Sequence, residues 1–236
     1  MRVLRVDLSR LSATDAGGLG STQPPAVCGG RLLTAEILTA EVDPGCKPLG
    51  PENRLVLATG PLSGWSVSCA GRLSVGAKSP LTGGIKESNA GGNLADALAG
   101  LGYRAVVLSG ALPPSEPGLL ILDEDSVRFE PATGYWGLTL EETAAKLQST
   151  FGQGYTYAAI GPAGEMQLPS AAVCISDVRG DPFRFAARGG LGAVMGSKGL
   201  KAMLVKQAPR ARPAGQAFRQ AVGAFHRVVS LSLIHI

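Results

Sequence analysis

The sequence predicts an α+β fold in which two mixed or antiparallel sheets pack with a few helices. Its 236 residues are 45% hydrophobic and 17% charged, which is enough for a core and excludes a disordered chain. Short apolar segments with strand-like alternation recur without a strict strand–helix alternation, which favours α+β over a parallel α/β sheet. Glycine is unusually frequent, at 33 residues, and lacks a period of three. Tight turns and close backbone contacts are therefore expected, and a collagen-like chain is excluded.

The first third of the chain predicts three strands and one helix. Alternation over Arg2–Leu8 predicts an edge strand, and Leu11–Pro25 is interpreted as loop. Apolar positions at helical spacing predict an amphipathic helix over Arg31–Val42, which ends at the turn residues Asp43-Pro44-Gly45. Two strands follow at Arg54–Thr59 and Arg72–Ala77.

The remaining elements alternate between strand pairs and single helices. Lys78–Gly92 is rich in turn residues and leads into a helix at Asn93–Leu101. Thr139 and Glu142 have the spacing of a capping box that opens a helix through Gln148. No exact internal repeat is found, although a strand-rich unit with one helix recurs loosely in each half. The other predicted elements are strands at Tyr103–Ser109, Leu119–Asp123, Ser126–Glu130, Tyr155–Ile160, Ala171–Ser176 and Ala202–Lys206, a helix at Gly190–Ser197, a linker at Gln207–Gln216 and a last helix to about Val229.

Histidine and cysteine usage excludes several classes of site. The two histidines are His226 and His235, so residues 1–225 cannot form a Ser-His-Asp triad or a His-ligated metal site. The four cysteines include no Cys-x-x-Cys pair, so no zinc, thioredoxin or iron–sulfur motif is indicated. The N-terminus lacks the apolar core of a signal peptide, and no apolar segment reaches the ~18 residues of a membrane span. These observations predict a cytoplasmic protein with reduced thiols.

Basic charge is concentrated in the C-terminal quarter. Residues 1–183 contain 13 Lys and Arg with all 18 Asp and Glu, whereas residues 184–236 contain nine Lys and Arg and no acid. This asymmetry leaves three explanations open: a solvated basic face, a small anionic ligand, or nucleic acid.

Three glycine-rich segments with basic or amide side chains are candidate binding loops. They cover residues 28–31, residues 71–72 together with 88–92, and residues 184–192, and each leads into a predicted helix. Free N–H groups at a helix start, next to a guanidinium, suit a phosphate. Residues 190–196 approximate a dinucleotide fingerprint, but the required acid is absent after Asp181, and residues 196–198 reverse the order of a P-loop.

Six segments resemble the N-terminal domain of the tungsten-containing aldehyde ferredoxin oxidoreductase family, in family order over residues 1–210. They are PLGPENRL at 48–55, ATGPLSG at 58–64, KSPLTGG at 78–84, SNAGG at 88–92, AIGPAGE at 159–165 and RGGLGAVMGSKGLKA at 188–202. The resemblance implies an α+β domain with two sheets that forms the base for a bis-pyranopterin tungsten cofactor, or its molybdenum counterpart, with phosphates bridged by magnesium.

The resemblance also implies site residues and partners. The pterin contacts of the family correspond to Arg72, Asn89, Gly91, Arg184, Phe185, Ala187 and Arg188. The full-length enzyme would oxidise aldehydes to carboxylic acids and pass electrons through a [4Fe-4S] cluster to ferredoxin or another electron-transfer protein. A homo-oligomer is allowed, whereas nucleic acid and membrane are not expected partners.

Two departures from the family pattern affect the third segment. Ala187 stands where the family commonly has glycine, so a positive φ there would add about 1–2 kcal/mol of strain. The stretch Val178–Phe183 is also longer than in the best-known members.

The resemblance leaves the cluster ligands and the substrate-side acid and base to later domains. The expected organisation is therefore a cofactor-binding domain over 1–210, the start of a helical domain over 211–230, and a non-native tail over 231–236. The tail resembles the translated end of a sequencing adapter and lacks a cap signal. By itself the chain is expected to be inactive. A stand-alone pterin-binding or cofactor-assembly protein and an unrelated nucleotide-binding module remain alternatives.

Overall fold

A computed structural model describes residues 2–16, 28–65, 67–208 and 215–233, with side chains through residue 231. The first sheet contains six strands: β1 (Arg2–Asp7), β2 (Ser12–Ala16), β3 (Leu55–Thr59), β4 (Leu73–Lys78), β5 (Ile85–Ala90) and β6 (Tyr103–Ser109). The second contains β7 (Gly118–Leu122), β8 (Val127–Pro131), β9 (Tyr155–Ala159), β10 (Val173–Ile175), β11 (Arg184–Ala186) and β12 (Leu200–Lys206). The helices are α1 (Gly30–Glu41), α2 (Leu94–Gly100), α3 (Leu140–Phe151), α4 (Pro162–Glu165), α5 (Leu191–Ser197) and α6 (Gln216–Leu233).

The two sheets share one strand plan. The first has the order β2-β1-β6-β3-β4-β5 and the second the order β8-β7-β12-β9-β10-β11. Each contains one parallel pair, β1 with β6 and β7 with β12, and antiparallel neighbours elsewhere. In each half a helix precedes the third strand, α1 or α3, and a seven-residue helix precedes the last, α2 or α5. The predicted α+β fold with two mixed sheets is confirmed, and the loose recurrence in the sequence reflects a structural duplication.

The central strands of each sheet are buried on both faces, so alternate residues of such a strand belong to different cores. Val56 and Ala58 of β3 pack towards α1, whereas Leu55 and Leu57 face the central core. The second sheet divides in the same way, with α3 on its outer face. The helices α2 and α5 contact strands of both sheets, so they fill the layer between them. This arrangement explains why the strands are apolar at consecutive positions.

Several predicted boundaries are wrong for identifiable reasons. β1 is not an edge strand, because β2 pairs with it inside the stretch predicted as loop, and residues 17–25 of that loop lie outside the described residues. The turn-rich segment 78–92 contains β5, a polar strand that pairs with β4 along its whole length. The last helix extends past Val229 to Leu233, and residues 234–236 and most of the predicted linker lie outside the described residues.

The start of α3 was predicted correctly from its capping residues. The Thr139 side chain accepts from the Glu142 N–H, and the Glu142 carboxylate accepts from the Thr139 N–H, which confirms the capping box.

None of the helices in the described part of the chain combines the length and apolarity that a membrane crossing requires.

Two lysines of the basic C-terminal quarter are fully buried. Lys198 Nζ donates to the carbonyl oxygens of Asn53 at 2.7 Å and Gly110 at 3.1 Å, and so joins α5 to two loops of the first sheet. Lys201 Nζ donates to the Leu138 carbonyl at 2.9 Å and pairs with Glu165. Part of the charge asymmetry therefore satisfies backbone carbonyls in the core and does not face a partner.

The burial of Lys198 predicts a pH-dependent contribution to stability. Burial, reinforced by the nearby Arg54 charge, lowers the pKa of Lys198 from 10.5 to about 8. Between pH 8 and 10.5 the unfolded chain then binds more protons at this site, so folding is favoured as the pH rises. Across that window the wild type should gain about 3 kcal/mol of unfolding free energy relative to Lys198→Met. Urea denaturation of both proteins at pH 7.5 and 10 measures the difference. The exposed Lys47→Met variant serves as control. The expectation would be contradicted if the difference in unfolding free energy between wild type and Lys198→Met were the same at both pH values.

Candidate functional site

A concavity of about 330 Å³ lies where the edges of the two sheets meet, with β11 beside β5. We call it the edge pocket. Its lining consists of Cys69, Gly71, Arg72, Gly91, Gly92, Asp177, Val178 and Arg184. The first five come from the first sheet and its loops and the last three from the second, so the pocket exists only because the two halves pack together.

Arg72 enters the edge pocket from the residue before β4 and is held by β5. Its Nε donates to the Asn89 Oδ1 atom, and its Nη2 donates to the Asn89 carbonyl at 3.3 Å. Asn89 faces Ser74 across the β4–β5 pair, and its Nδ2 donates to the Ser74 Oγ at 3.4 Å. Asn89 therefore acts on the pocket by holding the Arg72 side chain in place. The remaining N–H groups of the Arg72 guanidinium are available for a ligand.

Gly92 forms the contact that brings the halves together. Its φ is +106°, and a Cβ atom there would lie 2.4 Å from the Ser176 carbonyl oxygen and 3.1 Å from Ile175 Cγ2. Only glycine allows this approach without displacement of the backbone. A Cβ atom at the neighbouring Gly91 would meet no heavy atom within 4 Å, so Gly91 leaves open space in the pocket.

Arg184 and Asp177 supply the charged side chains of the second half. Arg184 is exposed at the start of β11 and forms no side-chain hydrogen bond or ion pair with any described residue. Asp177 follows β10 and is 8% exposed. Burial would raise the pKa of its carboxyl, but N–H donation from Arg179 and Asp181 and the charges of Arg179 and Arg184 hold that pKa below its usual value. The pocket thus presents two guanidinium groups and one carboxylate.

The other predicted contacts lie beside the edge pocket. Phe185 and Ala186 continue β11, and Phe185 is 46% exposed. Ala187 and Arg188 are exposed in the turn after β11 and do not line the pocket in the described part of the chain. Ala187 does not have a positive φ, so alanine carries no such strain there. Of the seven predicted residues, the pocket lining brings together Arg72, Gly91 and Arg184.

The glycines at the start of α5 serve packing, contrary to the anion-binding interpretation of residues 184–192. A Cβ at Gly190 would lie 2.1 Å from the Pro169 oxygen, and one at Gly192 would lie 2.3 Å from the Ala172 oxygen. The Gly192 N–H already donates to the Ala171 carbonyl at 2.9 Å. The start of α5 is therefore buried. Only the two arginines of residues 184–192 remain as candidate anion-binding groups of this segment.

Sequence reasoning missed Cys69 and Asp177 as parts of the pocket. Cys69 is exposed with φ +62°, in the loop that leads to Arg72. Proximity to the Gly71-Arg72 motif was the one available signal for Cys69. Asp177 lies in the loop after β10, far from Arg72 along the chain, and no local pattern connects the two.

Neither the cysteines nor the acids form a recognisable metal site in the described residues. No three His, Cys, Asp or Glu side chains group together there. Cys28 and Cys174 are buried, and burial raises the pKa of their thiols to about 11 and about 12. Such thiols stay protonated and behave as small core residues, not as thiolate ligands.

Comparison with known proteins agrees with this architecture. Residues 3–207 match the family model described as aldehyde ferredoxin oxidoreductase, N-terminal domain. The chain belongs to the aldehyde ferredoxin oxidoreductase family. It is 40% identical over 179 residues to a tungsten-containing aldehyde ferredoxin oxidoreductase of Pyrococcus furiosus, a match that covers 75% of this chain and 28% of the relative. It is 38% identical over 210 residues to the enzyme of the same name from Thermococcus kodakarensis, which covers 89% and 33%.

A solved structure supports the same fold for this family member. The active site complex BamBC of benzoyl coenzyme A reductase, in complex with 1,5-dienoyl-CoA, superposes with a TM-score of 0.85 at 31% identity. The match covers 97% of this chain and 34% of that chain. The chain therefore spans about a third of the length of the proteins it matches.

Proposed function

We propose that this chain is the cofactor-binding base of a tungsten-dependent oxidoreductase and that Arg72 and Arg184 hold the phosphates of a pyranopterin. The observation that carries the proposal is the edge pocket itself, in which guanidinium groups from two different sheets face one glycine-lined space. Guanidinium forks match phosphate oxygens and remain charged at all physiological pH values. Membership in a family whose relatives are named as tungsten-containing supports the cofactor.

The residues present fit such a group. Arg72 is aligned by Asn89, Arg184 is unpaired among the described side chains, and Gly91 leaves room for a bulky ring. The proposed cofactor is a bis-pyranopterin with tungsten or molybdenum and a magnesium ion between its phosphates. When bound, it would supply the redox chemistry, and the residues of this chain would bind and orient its phosphate and pterin parts.

The names of the relatives also support a proposal for the activity of the full-length protein. We place the cofactor-binding domain at 1–210 and the start of the next domain at 211–230. The full-length enzyme would oxidise a small aldehyde to the carboxylic acid, with a [4Fe-4S] cluster held by later domains and ferredoxin as electron acceptor. The aldehyde relatives reach 40% identity, against 31% for the benzoyl coenzyme A reductase complex, which favours an aldehyde substrate.

The test of this function is loss of phosphate binding when a pocket arginine is neutralised. Arg72→Gln and Arg184→Gln should each weaken binding of a pterin diphosphate at least about 10-fold, because a charge-assisted hydrogen bond contributes roughly 1.5–3 kcal/mol. Isothermal titration calorimetry measures this on the 236-residue chain, with the exposed Arg10→Gln as matched control. Bound ligand should also slow alkylation of Cys69 by iodoacetamide. Equal affinities in all four proteins would contradict the proposal, as would full-length protein purified without tungsten or molybdenum.

A further inference from the structure

A second concavity, of about 160 Å³, lies between the second half of α3, the strand β9 and the loop that follows β10. We call it the α3 pocket. It is separate from the edge pocket, with which it shares a single lining residue, Val178. None of the residues assigned to the proposed cofactor site lines it, so the α3 pocket needs an explanation of its own.

The buried part of the α3 pocket is preformed. Leu147 of α3 and Leu204 of β12 are 2% and 1% exposed and belong to the outer core of the second sheet. Tyr157 is also buried, and its hydroxyl donates to the Gly180 carbonyl at 2.8 Å, which ties the loop after β10 to β9. The Tyr155 hydroxyl donates to a carboxylate of the β7–β8 turn. Both hydroxyls are therefore engaged as donors, and a ligand would meet an ordered, largely apolar surface.

Three glutamine side chains from different parts of the chain contribute to the exposed part of the lining. They are Gln148 of α3, Gln153 in the turn after α3 and Gln207 after β12. The Gln207 N–H donates to the Gly154 carbonyl and the Gly152 N–H to the Gln148 carbonyl, each at 2.9 Å, so the backbone holds the three close together. None of their side-chain amides forms a hydrogen bond with a described residue. Since a primary amide has two N–H donors and an acceptor oxygen, the rim offers donors beside acceptors.

The charges around the α3 pocket disfavour an anionic ligand. Its lining contains one charged side chain, Arg179, and Asp181 pairs with that guanidinium at 3.4 Å. Burial raises the pKa of the Tyr157 phenol, and the nearby carboxylates of Asp181, Asp177 and Glu141 raise it further. A carboxylate or phosphate in the pocket would meet the same repulsion and would have to compete for Arg179, whereas an uncharged ligand would not.

We propose that the α3 pocket binds a small uncharged ring compound with a carboxamide or lactam edge. A cavity of about 150 Å³ is large enough for a benzene ring, so the volume suits a ligand of one ring. The ring would lie on the buried leucine and tyrosine side chains, and the glutamine amides would pair with its polar edge, where a donor stands beside an acceptor. The inference does not depend on the proposed function. A ligand here would contact Val178, in a loop that also lines the edge pocket.

The test compares benzamide with benzoate, which have nearly the same shape but differ in charge and in N–H donors. Backbone amide chemical shifts of the isotope-labelled chain are recorded by NMR during titration with each compound. Benzamide should bind with a Kd of millimolar order, as expected for a ligand of this size. It should bind at least about 10-fold more tightly than benzoate. The largest shifts should occur at Gly152 and Gly180, which line the α3 pocket.

A double variant tests the glutamine amides directly. Gln148→Leu combined with Gln207→Leu should weaken benzamide binding about 10-fold or more, because two hydrogen-bonding groups are lost. Gln216→Leu combined with Gln220→Leu is the matched control, since both are exposed glutamines of α6 outside the lining. The control should keep the wild-type affinity.

Several results would overturn the inference. Benzoate binding as tight as that of benzamide would indicate an anion site at Arg179. Shifts centred on Gly91 and Gly92 would place the ring in the edge pocket, and the absence of shifts would exclude binding. An unchanged affinity in the Gln148/Gln207 double variant would show that the amides take no part. If that variant does not fold, the benzamide–benzoate comparison and the position of the shifts in the wild type still decide. Failure of the chain to bind pterin diphosphate would leave this inference standing.

Discussion

Replacement of Gly92 by alanine should lower the free energy of unfolding by about 2–5 kcal/mol. The new Cβ would lie 2.4 Å from the Ser176 oxygen, and the backbone φ of +106° is unfavourable for an L-residue. Because this contact joins the first sheet to the second, relief of the overlap must move the two sides of the edge pocket apart. The variant should therefore also lose most of its affinity for pterin diphosphate.

Gly91→Ala is the matched control for this prediction. It is the adjacent residue in the same turn, and its Cβ would meet no heavy atom within 4 Å. We expect a change in unfolding free energy within about 0.5 kcal/mol, as for surface substitutions in general. Urea denaturation of the two variants gives the comparison directly. Equal losses in both would show that the turn tolerates no side chain at either position and that the contact with Ser176 is not the cause.

Removal of Lys201 should be comparably severe, at about 3–5 kcal/mol, because it leaves a buried carboxylate without its counter-charge. Lys201 is fully buried and its partner Glu165 is 6% exposed on the side chain. The other Glu165 oxygen accepts the Gly137 N–H at 2.8 Å, so the pair also fixes the loop before α3. Lys201→Met should show the full loss in a chemical denaturation curve.

Two further variants isolate the cause. Lys201→Met combined with Glu165→Gln should recover a large part of the stability, because no unpaired buried charge remains. Lys146→Met removes a lysine that donates to the Gly134 carbonyl at 2.7 Å in the same loop, but from an exposed position. That change should cost less than about 1 kcal/mol. Losses of similar size for Lys146→Met and Lys201→Met would refute the argument from burial.

The elements that the sequence predicts well are those with strong local signals. The apolar strands at the centre of each sheet and the capping box at Thr139 need little tertiary information, since burial and backbone satisfaction dictate their residue types. β5 is different, because IKESNA has polar residues and turn formers in the place of an apolar pattern. It forms a strand because all of its residues pair with β4 at the edge of the sheet. That pairing depends on the tertiary structure and not on the local sequence.

The site was predictable in part for the same reason. Family motifs indicate Arg72 and Arg184, but only the packing of the halves shows that Asp177 and Cys69 lie with them. The motif glycines illustrate the opposite difficulty: Gly190 and Gly192 belong to a segment that suggests phosphate binding, yet close backbone contacts explain them. A residue type that serves both purposes cannot reveal from sequence which one applies.

The shared strand plan of the two sheets is the arrangement that duplication and fusion of one unit would produce. A single unit of β1 to β6 type, paired with a second copy of itself, would already have buried the central layer and placed two identical hairpin edges side by side. Such a homodimer would have carried the same side chains on both sides of the space that corresponds to the edge pocket. Fusion into one chain would release the two copies from identity, so that one hairpin could carry the Arg72–Asn89 pair and the other Arg184 and Asp177.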